Sequence, residues 1–427
     1  MIESTETKNV LVIAYYFPPM GGSGVQRVLK FVKYLRDFGW NPIVLCPEPG
    51  AYHTFDTSLE DELNSFEVEV HRVAANTPLH KMGGQKTVKL PVFVEKTLRA
   101  VSTFFWLPDN KKGWIEPALH KASEIIEGKR IDVIFATAPP YSNFILAKRI
   151  KELFNIPVVM DFRDDWLESH LFNYPTKWHY SKMKDIESET LRAADQVITI
   201  NHYIASAIDA REVAPTKAKV ITHGFDSEDF NELNNSFQKK EKLTFLYSGT
   251  FYPESGPEVF LKAFASLLEA HPELRDKAEL QFQGGLNELH KSLIKNLKLD
   301  AIVKDFGYVN HGESVKNLMN ADILWLNNSH SKKSFTISLS KTYEYMATLK
   351  PVLALIPEGD TKETLKSYKA SFIVNPVDEK TLKDKILNIF QLWSEDALPV
   401  PDKEYVMKFD RKGLTSELAS IFNVISS

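Results

Sequence analysis

The sequence predicts an α/β protein with two parallel sheets in tandem, each sheet covered by helices on both faces. Short, continuous apolar runs alternate with stretches of helical spacing along nearly the whole chain, which is the pattern of buried parallel strands and their crossover helices. One polar segment, residues 226–242, interrupts this alternation before it restarts, as a link between two domains would. The length of 427 residues agrees with two or three domains.

The first half of the chain predicts a domain over residues 1–225. Its opening run, NVLVIAY, is continuously apolar after its first residue, as expected of a strand that is buried on both faces. The predicted strands are Asn9–Tyr15, Asn41–Cys46, Asp132–Ala136, Pro157–Met160 and Gln196–Ile200. The predicted helices are Gln26–Phe38, Tyr141–Lys151 and His179–Ala194.

Residues 240–405 predict a second domain of the same kind. Its predicted strands are Leu243–Tyr247, Glu279–Gln283, Ala301–Phe306, Ile323–Leu326, Val352–Ala354 and Ser371–Val374. Its predicted helices are Pro257–His271, Leu286–Leu297, Ser314–Met319, Lys341–Leu349 and Thr361–Tyr368.

Composition and charge narrow the class of function. The net charge of -4 provides no basic field for a nucleic-acid partner, and a single cysteine, Cys46, fits a reducing compartment. The N-terminus lacks the basic start and apolar core of a signal peptide, and no stretch approaches the roughly 20 apolar residues of a membrane span. The sequence therefore predicts a cytoplasmic protein.

One segment, residues 86–114, is both basic and aromatic. Such a composition is typical of a helix that lies in a membrane interface, so the segment predicts peripheral contact with the inner face of the cytoplasmic membrane. The alternative is a helix that packs on its own domain and exposes a basic face to water.

The loop FPPMGGSG after the first predicted strand is a candidate ligand site. Gly21, Gly22 and Gly24 allow close approach of the backbone to a ligand, and with Ser23 they precede a helix whose positive N-terminus attracts an anion. The dinucleotide pattern GxGxxG fits poorly, because Arg27 stands where its third glycine belongs. The loop predicts a phosphate or sugar site, with a plain flexible turn as the alternative.

The sequence DFRDDW directly follows the strand predicted at Pro157–Met160. Ligands of open parallel sheets bind beyond the carboxyl ends of the strands, so Asp161, Arg163 and Asp164 are candidate catalytic residues. A nearby arginine keeps carboxylates ionised, which suits them to orient or deprotonate a hydroxyl group. The alternative is an Asp161–Arg163 pair that only fixes the loop.

The sequence SKTYEYMA in the second half is a candidate diphosphate site. Ser340 is predicted as the N-cap of a helix that begins near Lys341 and ends before Pro351. A helix N-terminus and a lysine together favour a diphosphate, and Glu344, one turn later, is placed to hold two ribose hydroxyls. The alternative is a solvated Lys and Glu on a surface helix.

Two shorter motifs add donor-binding candidates. Gly249 and Thr250 end a predicted strand, where a glycine lets the backbone approach a ligand. Tyr308 and Val309 follow another predicted strand and offer main-chain contacts to the edge of a base.

In this order the motifs resemble those of glycosyltransferase family 4, whose members have the GT-B fold. The resemblance covers nearly the whole chain, and its strength lies in the ordered succession of motifs. They are YYFPPMGGSGVQR, TAPPYSNF, DFRDDW, ITHGFD, LYSGTFY, FGYVNHGESVKNLMNADILWL and SKTYEYMATLKPVLA. The last motif is similar to that of enzymes of capsule, O-antigen and exopolysaccharide assembly.

The resemblance implies two Rossmann-like domains that face each other across a cleft, with the nucleotide mainly on the C-terminal domain and the acceptor mainly on the N-terminal one. It implies that residues 409–427 form a helix that packs back on the N-terminal domain. It also implies transfer of a hexose or related sugar from a nucleotide-diphosphate sugar to a glycan or lipid-linked glycan. Transfer would retain the anomeric configuration and need no metal or other cofactor.

The sequence departs from the family pattern at donor contacts. The paired glutamates of the family lie eight positions apart; Glu344 matches the second, whereas Thr336 stands at the first. The phosphate-binding arginine and lysine of the family fall on Thr250 and near Ser255. In our interpretation Lys341 and the backbone at Ser340 take over these contacts.

The mechanistic hypothesis is front-face substitution. Lys341 and the amides of Gly21–Gly24 stabilise the departing diphosphate, which accepts the proton of the acceptor, while Asp161 or Asp164 orients the acceptor hydroxyl. Two alternatives remain: a nucleotide-sugar epimerase, which acts without an acceptor, and a non-catalytic nucleotide-sugar-binding protein.

Overall fold

The computed structural model describes residues 7–50, 55–75, 104, 106–168, 174–231, 240–251, 255–328 and 334–427. The chain divides into two compact units: unit 1 is Met1–His223 with Arg411–Ser427, and unit 2 is Gly224–Asp410. The sequence predicted that the first domain ends at residue 225 and resumes at residue 409, two residues from the observed boundaries at each point.

Unit 1 is built on a parallel sheet that, within the described residues, has seven strands in the order β3-β2-β1-β4-β5-β6-β7. The strand order reverses between β1 and β4, and the crevice outside such a switch point is where ligands of open sheets bind. The strands are β1 (Lys8–Ile13), β2 (Trp40–Pro47), β3 (Glu69–Val73), β4 (Val133–Ala138), β5 (Val158–Phe162), β6 (Gln196–Thr199) and β7 (Lys219–Val220).

Helices cover both faces of this sheet, because alternate residues of each central strand point to opposite faces and most of them are apolar and buried. Leu11 and Ile13 belong to one buried cluster, and Val10 and Val12 to the other. The helices are α1 (Ser23–Tyr34), α2 (Thr57–Asn64), α3 (Ile115–Gly128), α4 (Ser142–Phe154), α5 (Lys177–Ala193) and α6 (His202–Asp209), with 3₁₀ turns at Leu35–Phe38 and Lys112–Trp114.

Unit 2 repeats the arrangement on a second parallel sheet. Within the described residues it has six strands in the order β10-β9-β8-β11-β12-β13, so its switch point lies between β8 and β11. The strands are β8 (Leu243–Ser248), β9 (Ala278–Gln283), β10 (Val303–Asp305), β11 (Ile323–Asn327), β12 (Val352–Leu355) and β13 (Ser371–Val374).

The helices of unit 2 lie before, between and after these strands in sequence. They are α7 (Glu228–Asn231), α8 (Glu258–Ala270), α9 (Glu288–Asn296), α10 (His311–Asn320), α11 (Lys341–Ala347), α12 (Asp360–Tyr368), α13 (Glu379–Ser394) and α14 (Lys403–Met407), with 3₁₀ turns at Pro272–Lys277, Asp300–Ile302 and Ser334–Thr336.

The last helix, α15 (Arg411–Ile425), belongs to unit 1, as the resemblance implied. The ring of Phe422 lies 5.2 Å from that of Trp40 and 5.8 Å from that of Phe135. The indole nitrogen of Trp40 also donates to Oδ1 of Asn423 at 3.2 Å. The helix thereby covers part of one face of the first sheet, beside α1.

Two parallel α/β sheets were predicted, and the structure confirms them. Strand β5 continues through Phe162, so Asp161 lies inside the strand and does not follow it, contrary to the prediction. Helix α1 begins at Ser23, three residues before the predicted start. Among the described residues, no helix combines the length and apolarity that a membrane span requires.

Candidate functional site

The glycine loop of unit 1 leads directly into α1 at the switch point of the first sheet. Gly22 is the residue before the helix, and its φ of 114° lies in the region that favours glycine. Its carbonyl accepts hydrogen bonds from the amides of Val25 and Gln26 at 3.0 and 3.2 Å. The predicted site residues Gly21, Gly22 and Gly24 are thus placed beyond the end of β1.

Arg163 lies against this loop. A Cβ atom built on Gly24 would be 1.6 Å from Nη1 of Arg163, so only glycine leaves room for the guanidinium. Nε of Arg163 donates to the carbonyl of Ala138 at 3.2 Å, and Nη2 donates to the carbonyl of Pro139, both at the end of β4. Two predicted site elements, the loop and Arg163, therefore meet at the carboxyl ends of β1 and β4.

Asp161 is fully buried and pairs with Arg27, not with Arg163 as the sequence alternative proposed. Arg27 donates to both carboxylate oxygens at 2.9 and 3.1 Å, and the hydroxyl of Thr137 adds a third hydrogen bond at 2.8 Å. The guanidinium of Arg27 also donates to the carbonyls of Ile221 and Thr222. This network joins α1, β4, β5 and the chain that leaves β7.

These contacts narrow the predicted role of Asp161. A carboxylate with no exposed surface and three donors already in place is not accessible to an acceptor hydroxyl. We therefore regard Asp161 as a positioning residue, and leave the hydroxyl-orienting role with Asp164, which is half-buried and acts electrostatically on Arg163. The role of Asp164 stays a prediction.

A second buried charge cluster fixes the chain after Asp164. Arg211 contacts Oε2 of Glu187 at 3.0 Å and Oδ1 of Asp165 at 2.5 Å, and Glu187 accepts from the amide of Leu167 at 3.2 Å. Burial, opposed by Arg211, raises the pKa of Glu187 to about 7. The cluster holds the loop that presents Asp164, and sequence analysis missed it.

His223 is a further residue of unit 1 that sequence reasoning did not assign. It is buried, and burial together with the guanidinium groups of Arg27, Arg411 and Arg163 holds its pKa well below the usual value. The imidazole is therefore neutral at pH 7, and its environment disfavours protonation. The signal in the sequence was its position in ITHGFD, directly after the last strand.

In unit 2, Lys341 reaches the switch point of the second sheet. Its ammonium donates to the carbonyl of Ser248 at 2.9 Å and to the hydroxyl of Tyr247 at 3.1 Å, and it lies 4.3 Å from the centre of the Tyr247 ring. A Cβ atom on Gly249 would be 2.8 Å from the same nitrogen. The structure thus brings together two residues that were predicted from separate motifs.

Tyr345 extends this arrangement between the two central strands. Its hydroxyl accepts from the amide of Ser248 at 2.8 Å and donates to the carbonyl of Trp325 at 3.2 Å, so it bridges β8 and β11 where they separate. Lys341 and Tyr345 are four residues apart on α11, which places them on one face of the helix. This spacing could have identified Tyr345 as a neighbour of Lys341, but the sequence analysis did not assign Tyr345 to the site.

Glycines also follow the neighbouring strands of unit 2. Gly284 has a φ of 113°, and a Cβ atom there would be 2.6 Å from the backbone of Gly249. The amide of Gly249 donates to Gln283, and the amide of Gly284 donates to Gly307, so β8, β9 and β10 end in hydrogen-bonded glycines. The pair Gly284-Gly285 after a predicted strand was a readable signal that the sequence analysis did not use.

The predicted capping role of Ser340 is wrong. Ser340 has helical backbone angles and, among the described residues, its side chain makes no capping hydrogen bond. The amides of Thr342 and Tyr343 already donate to the carbonyls of Leu339 and Ser340 at 3.0 and 3.1 Å. Because these first amides already donate within the chain, the ammonium of Lys341 is the stronger anion-binding group at this end of the helix.

The remaining donor-binding candidates lie in more open positions. Thr250 is exposed, Val309 is half-buried, and Tyr308 is 65% exposed after Gly307, whose φ of 66° turns the chain. Glu344 is half-buried and close enough to Lys341 to act on its charge. Their contacts with a nucleotide sugar stay predictions.

Part of the basic aromatic segment proves to be core. Residues 86–103 and 105 lie outside the described residues. Trp114 is fully buried with its ring 5.4 Å from that of Tyr15, and Lys111 is buried over the same ring at 5.7 Å. The end of the segment therefore packs inside unit 1, contrary to a membrane-facing stretch that runs through residue 114.

Acidic and metal-ligating side chains form no group of three or more suited to a metal ion within the part of the chain that the structure describes. The expectation that no metal is required remains a prediction.

Comparisons with known proteins agree with this architecture. Residues 21–229 match the family model Glycosyltransferase Family 4, and residues 229–398 match the model Glycosyl transferases group 1. No curated protein matches the chain by sequence.

Solved structures share the fold over nearly the full length. A glycosyltransferase from Rickettsia africae is 17% identical with a TM-score of 0.67, and the alignment covers 98% of both chains. Sucrose-phosphate synthase from Thermosynechococcus elongatus is 16% identical with a TM-score of 0.66 and the same coverage. HepE from Anabaena, in complex with UDP and glucose, is 14% identical with a TM-score of 0.64, covering 98% of this chain and 100% of HepE.

Proposed function

Since the chain belongs to the family 4 glycosyltransferases of the GT-B fold, we propose that it moves a sugar from a nucleotide-diphosphate sugar to a hydroxyl of a glycan or lipid-linked glycan. The transfer retains the anomeric configuration and serves surface polysaccharide biosynthesis at the inner face of the cytoplasmic membrane. It needs no metal.

One observation carries the donor side of this proposal: the ammonium of Lys341 stands beside Gly249 at the switch point of the second sheet. Burial, opposed by Glu344, lowers the pKa of Lys341 to about 8, because the ammonium is poorly solvated there. A diphosphate at this position supplies the missing counter-charge. Lys341 then stabilises the negative charge that develops as the glycosidic bond breaks.

The acceptor side rests on unit 1. Asp164 accepts a hydrogen bond from the acceptor hydroxyl and orients its oxygen, while Asp161 and Arg27 hold the strand end behind it. Arg163 lies between the glycine loop and β4 and offers positive charge to a phosphate group.

The proposed mechanism is front-face substitution. The bond between the anomeric carbon and the diphosphate oxygen breaks, and the acceptor oxygen forms a bond to the same face of that carbon. The acceptor proton passes to the leaving phosphate oxygen, so the products are the glycoside and the nucleoside diphosphate. No strong protein base is needed in this scheme.

UDP-sugars are the first donors to test, because the related fold of HepE was solved with UDP-glucose bound. Thermal-shift screening against UDP-, GDP- and ADP-sugars identifies the donor, since a ligand that binds the native state raises the melting temperature. Nucleotide release is then measured with EDTA present, with and without a polyprenyl-diphosphate-linked sugar acceptor.

Acceptor-dependent release of the nucleoside diphosphate supports the proposal. Isomerisation of the sugar without acceptor would instead identify an epimerase, and a melting shift without turnover for any donor and acceptor would identify a binding protein. Loss of release in EDTA would contradict metal independence.

A further inference from the structure

We infer that unit 1 carries a docking surface for an anionic membrane, centred on the first two turns of α5. We call it the α5 patch, and it consists of Phe104, Lys177, Trp178, Tyr180, Lys182 and Lys184. This inference does not depend on the proposed sugar transfer, because it concerns where the protein binds and not what it converts.

The aromatic members of the patch are exposed and held in place. Trp178 is 64% exposed, Phe104 49% and Tyr180 38%. The rings of Phe104 and Trp178 each lie 5.0 Å from the ring of His179, which is itself buried between them. Nε2 of His179 contacts the carbonyl of Phe104 at 3.2 Å. Large apolar side chains that cluster on a surface and are fixed from below mark an interaction site.

Three lysines of the patch are exposed near the N-terminus of α5. They are Lys177, Lys182 and Lys184, and no acidic residue lies in the first turn of the helix. Lys177 lies in that first turn, where the positive end of the helix macrodipole repels a cation. An external anion would offset this repulsion.

Helical geometry puts both kinds of side chain on one face. At about 100° per residue, Lys177 and Lys184 project between the directions of Trp178 and Tyr180, while buried His179 points the opposite way. The exposed face of α5 therefore carries lysines, with the exposed carboxylate of Asp185 among them, flanked by an indole and a phenol ring.

This chemistry selects a bilayer surface as the occupant. Indole and phenol rings are enriched at the headgroup level of membranes, and lysines extend their ammonium groups to lipid phosphates. The chain as a whole has a net charge of -4, so attraction to anionic lipid must come from a local patch. Phe104 also belongs to the segment 86–114, whose sequence predicts membrane contact.

The test is flotation of the full chain with two kinds of vesicle: phosphatidylglycerol mixed with phosphatidylethanolamine, and pure phosphatidylcholine. We expect the wild type to float with the anionic vesicles only. The triple variant K177Q/K182Q/K184Q should bind them about 100-fold more weakly, at roughly fivefold per lysine near an anionic surface. W178S should weaken binding about tenfold by removing an interfacial anchor.

The matched control is K362Q/K366Q/K369Q, which removes two lysines of α12 and the lysine directly after this helix in unit 2. It changes the net charge by the same amount and should leave flotation unchanged. Equal weakening by the two triple variants would overturn the inference, as would failure of the wild type to bind anionic vesicles. Melting temperatures within a degree or two of wild type show that the variants are folded.

Fluorescence gives an independent readout. Trp178 is the most exposed of the tryptophans, all of which lie in described parts of the chain, followed by Trp106 at 37%. Brominated lipids should therefore quench the wild type, and W178F should lose most of that quenching while W106F keeps it. Unchanged quenching in W178F would contradict insertion of this patch.

Discussion

The Nη1 atom of Arg163 occupies the place in which a side chain on residue 24 would begin. The two residues are 139 positions apart in sequence, yet an ideal Cβ on Gly24 would lie 1.6 Å from that nitrogen. The missing side chain of Gly24 is thus the space in which the guanidinium sits. This relationship joins the glycine loop after β1 to the end of β5.

We expect G24A to lower kcat/KM by about tenfold to 100-fold with little loss of stability. The guanidinium is the far end of a flexible side chain, so it moves aside at small cost in free energy, but its position toward the ligand is lost. The control is G413A, at an exposed position of α15 where a Cβ meets nothing within 4 Å. Normal kinetics in G24A would show that the placement of Arg163 is unimportant for turnover.

K341A should reduce turnover about 10²–10³-fold, the typical effect of removing one group that stabilises developing charge. K366A removes an exposed lysine of the same unit and should leave turnover unchanged. Steady-state kinetics at saturating donor separate a loss of turnover from a loss of binding. Full activity in K341A would rule out the role proposed for this residue.

The pH dependence should follow the ammonium of Lys341. Its pKa is lowered to about 8 by burial, so the charge is present below this pH and lost as pH rises through it. In the free enzyme kcat/KM should therefore fall above about pH 8, whereas bound diphosphate stabilises the ammonium and moves the fall in kcat to higher pH. In K341R, whose guanidinium stays charged, the alkaline limb should disappear; its persistence would assign the limb to another group.

The neighbouring variants G284A and G285A should differ in stability. Both glycines have positive φ, but a Cβ on Gly284 would meet the backbone of Gly249 at 2.6 Å, whereas one on Gly285 meets nothing within 4 Å. G285A should therefore cost only about 1 kcal/mol for its backbone conformation, and G284A several kcal/mol. Urea denaturation measures both, and equal values would mean that the close approach of Gly284 to Gly249 does not contribute.

Removing one partner of the buried pair Asp161–Arg27 should destabilise unit 1. D161N leaves the buried guanidinium of Arg27 without its counter-charge, and R27M leaves the buried carboxylate of Asp161 without its counter-charge. Each change should lower the free energy of unfolding by about 3–5 kcal/mol. The double variant R27M/D161N should lose less than the sum, which a double-mutant cycle measures. Normal stability with abolished turnover in D161N would instead return Asp161 to a catalytic role.

The fold was predictable because buried parallel strands have a strong sequence pattern. Runs such as VLVIAY and ILWL are apolar at every position, and helical spacing separates them. Strand β3, with the sequence EVHRV, was missed because it lies at the sheet edge among the described strands and most of its residues are polar or charged. The exact end of β5 was also missed, because the buried charge of Asp161 resembles a loop residue in sequence.

The site was only partly predictable. Residues near strand ends, such as Gly249 and Lys341, follow from the topology of parallel sheets. Their partners do not: the pairing of Asp161 with Arg27 spans 134 positions, and no local pattern specifies it. The cluster of Glu187, Asp165 and Arg211 has the same character, since its members come from three separate segments.

Helix α15 makes the first unit the last to be completed. Because Phe422, Leu418 and Leu414 share with α1 one face of the sheet that begins at Lys8, part of this face stays uncovered during synthesis until all of unit 2 has emerged from the ribosome. Truncation or substitution within the final 17 residues, Arg411–Ser427, therefore destabilises unit 1, which contains the glycine loop, and not unit 2, which directly precedes these residues in the chain.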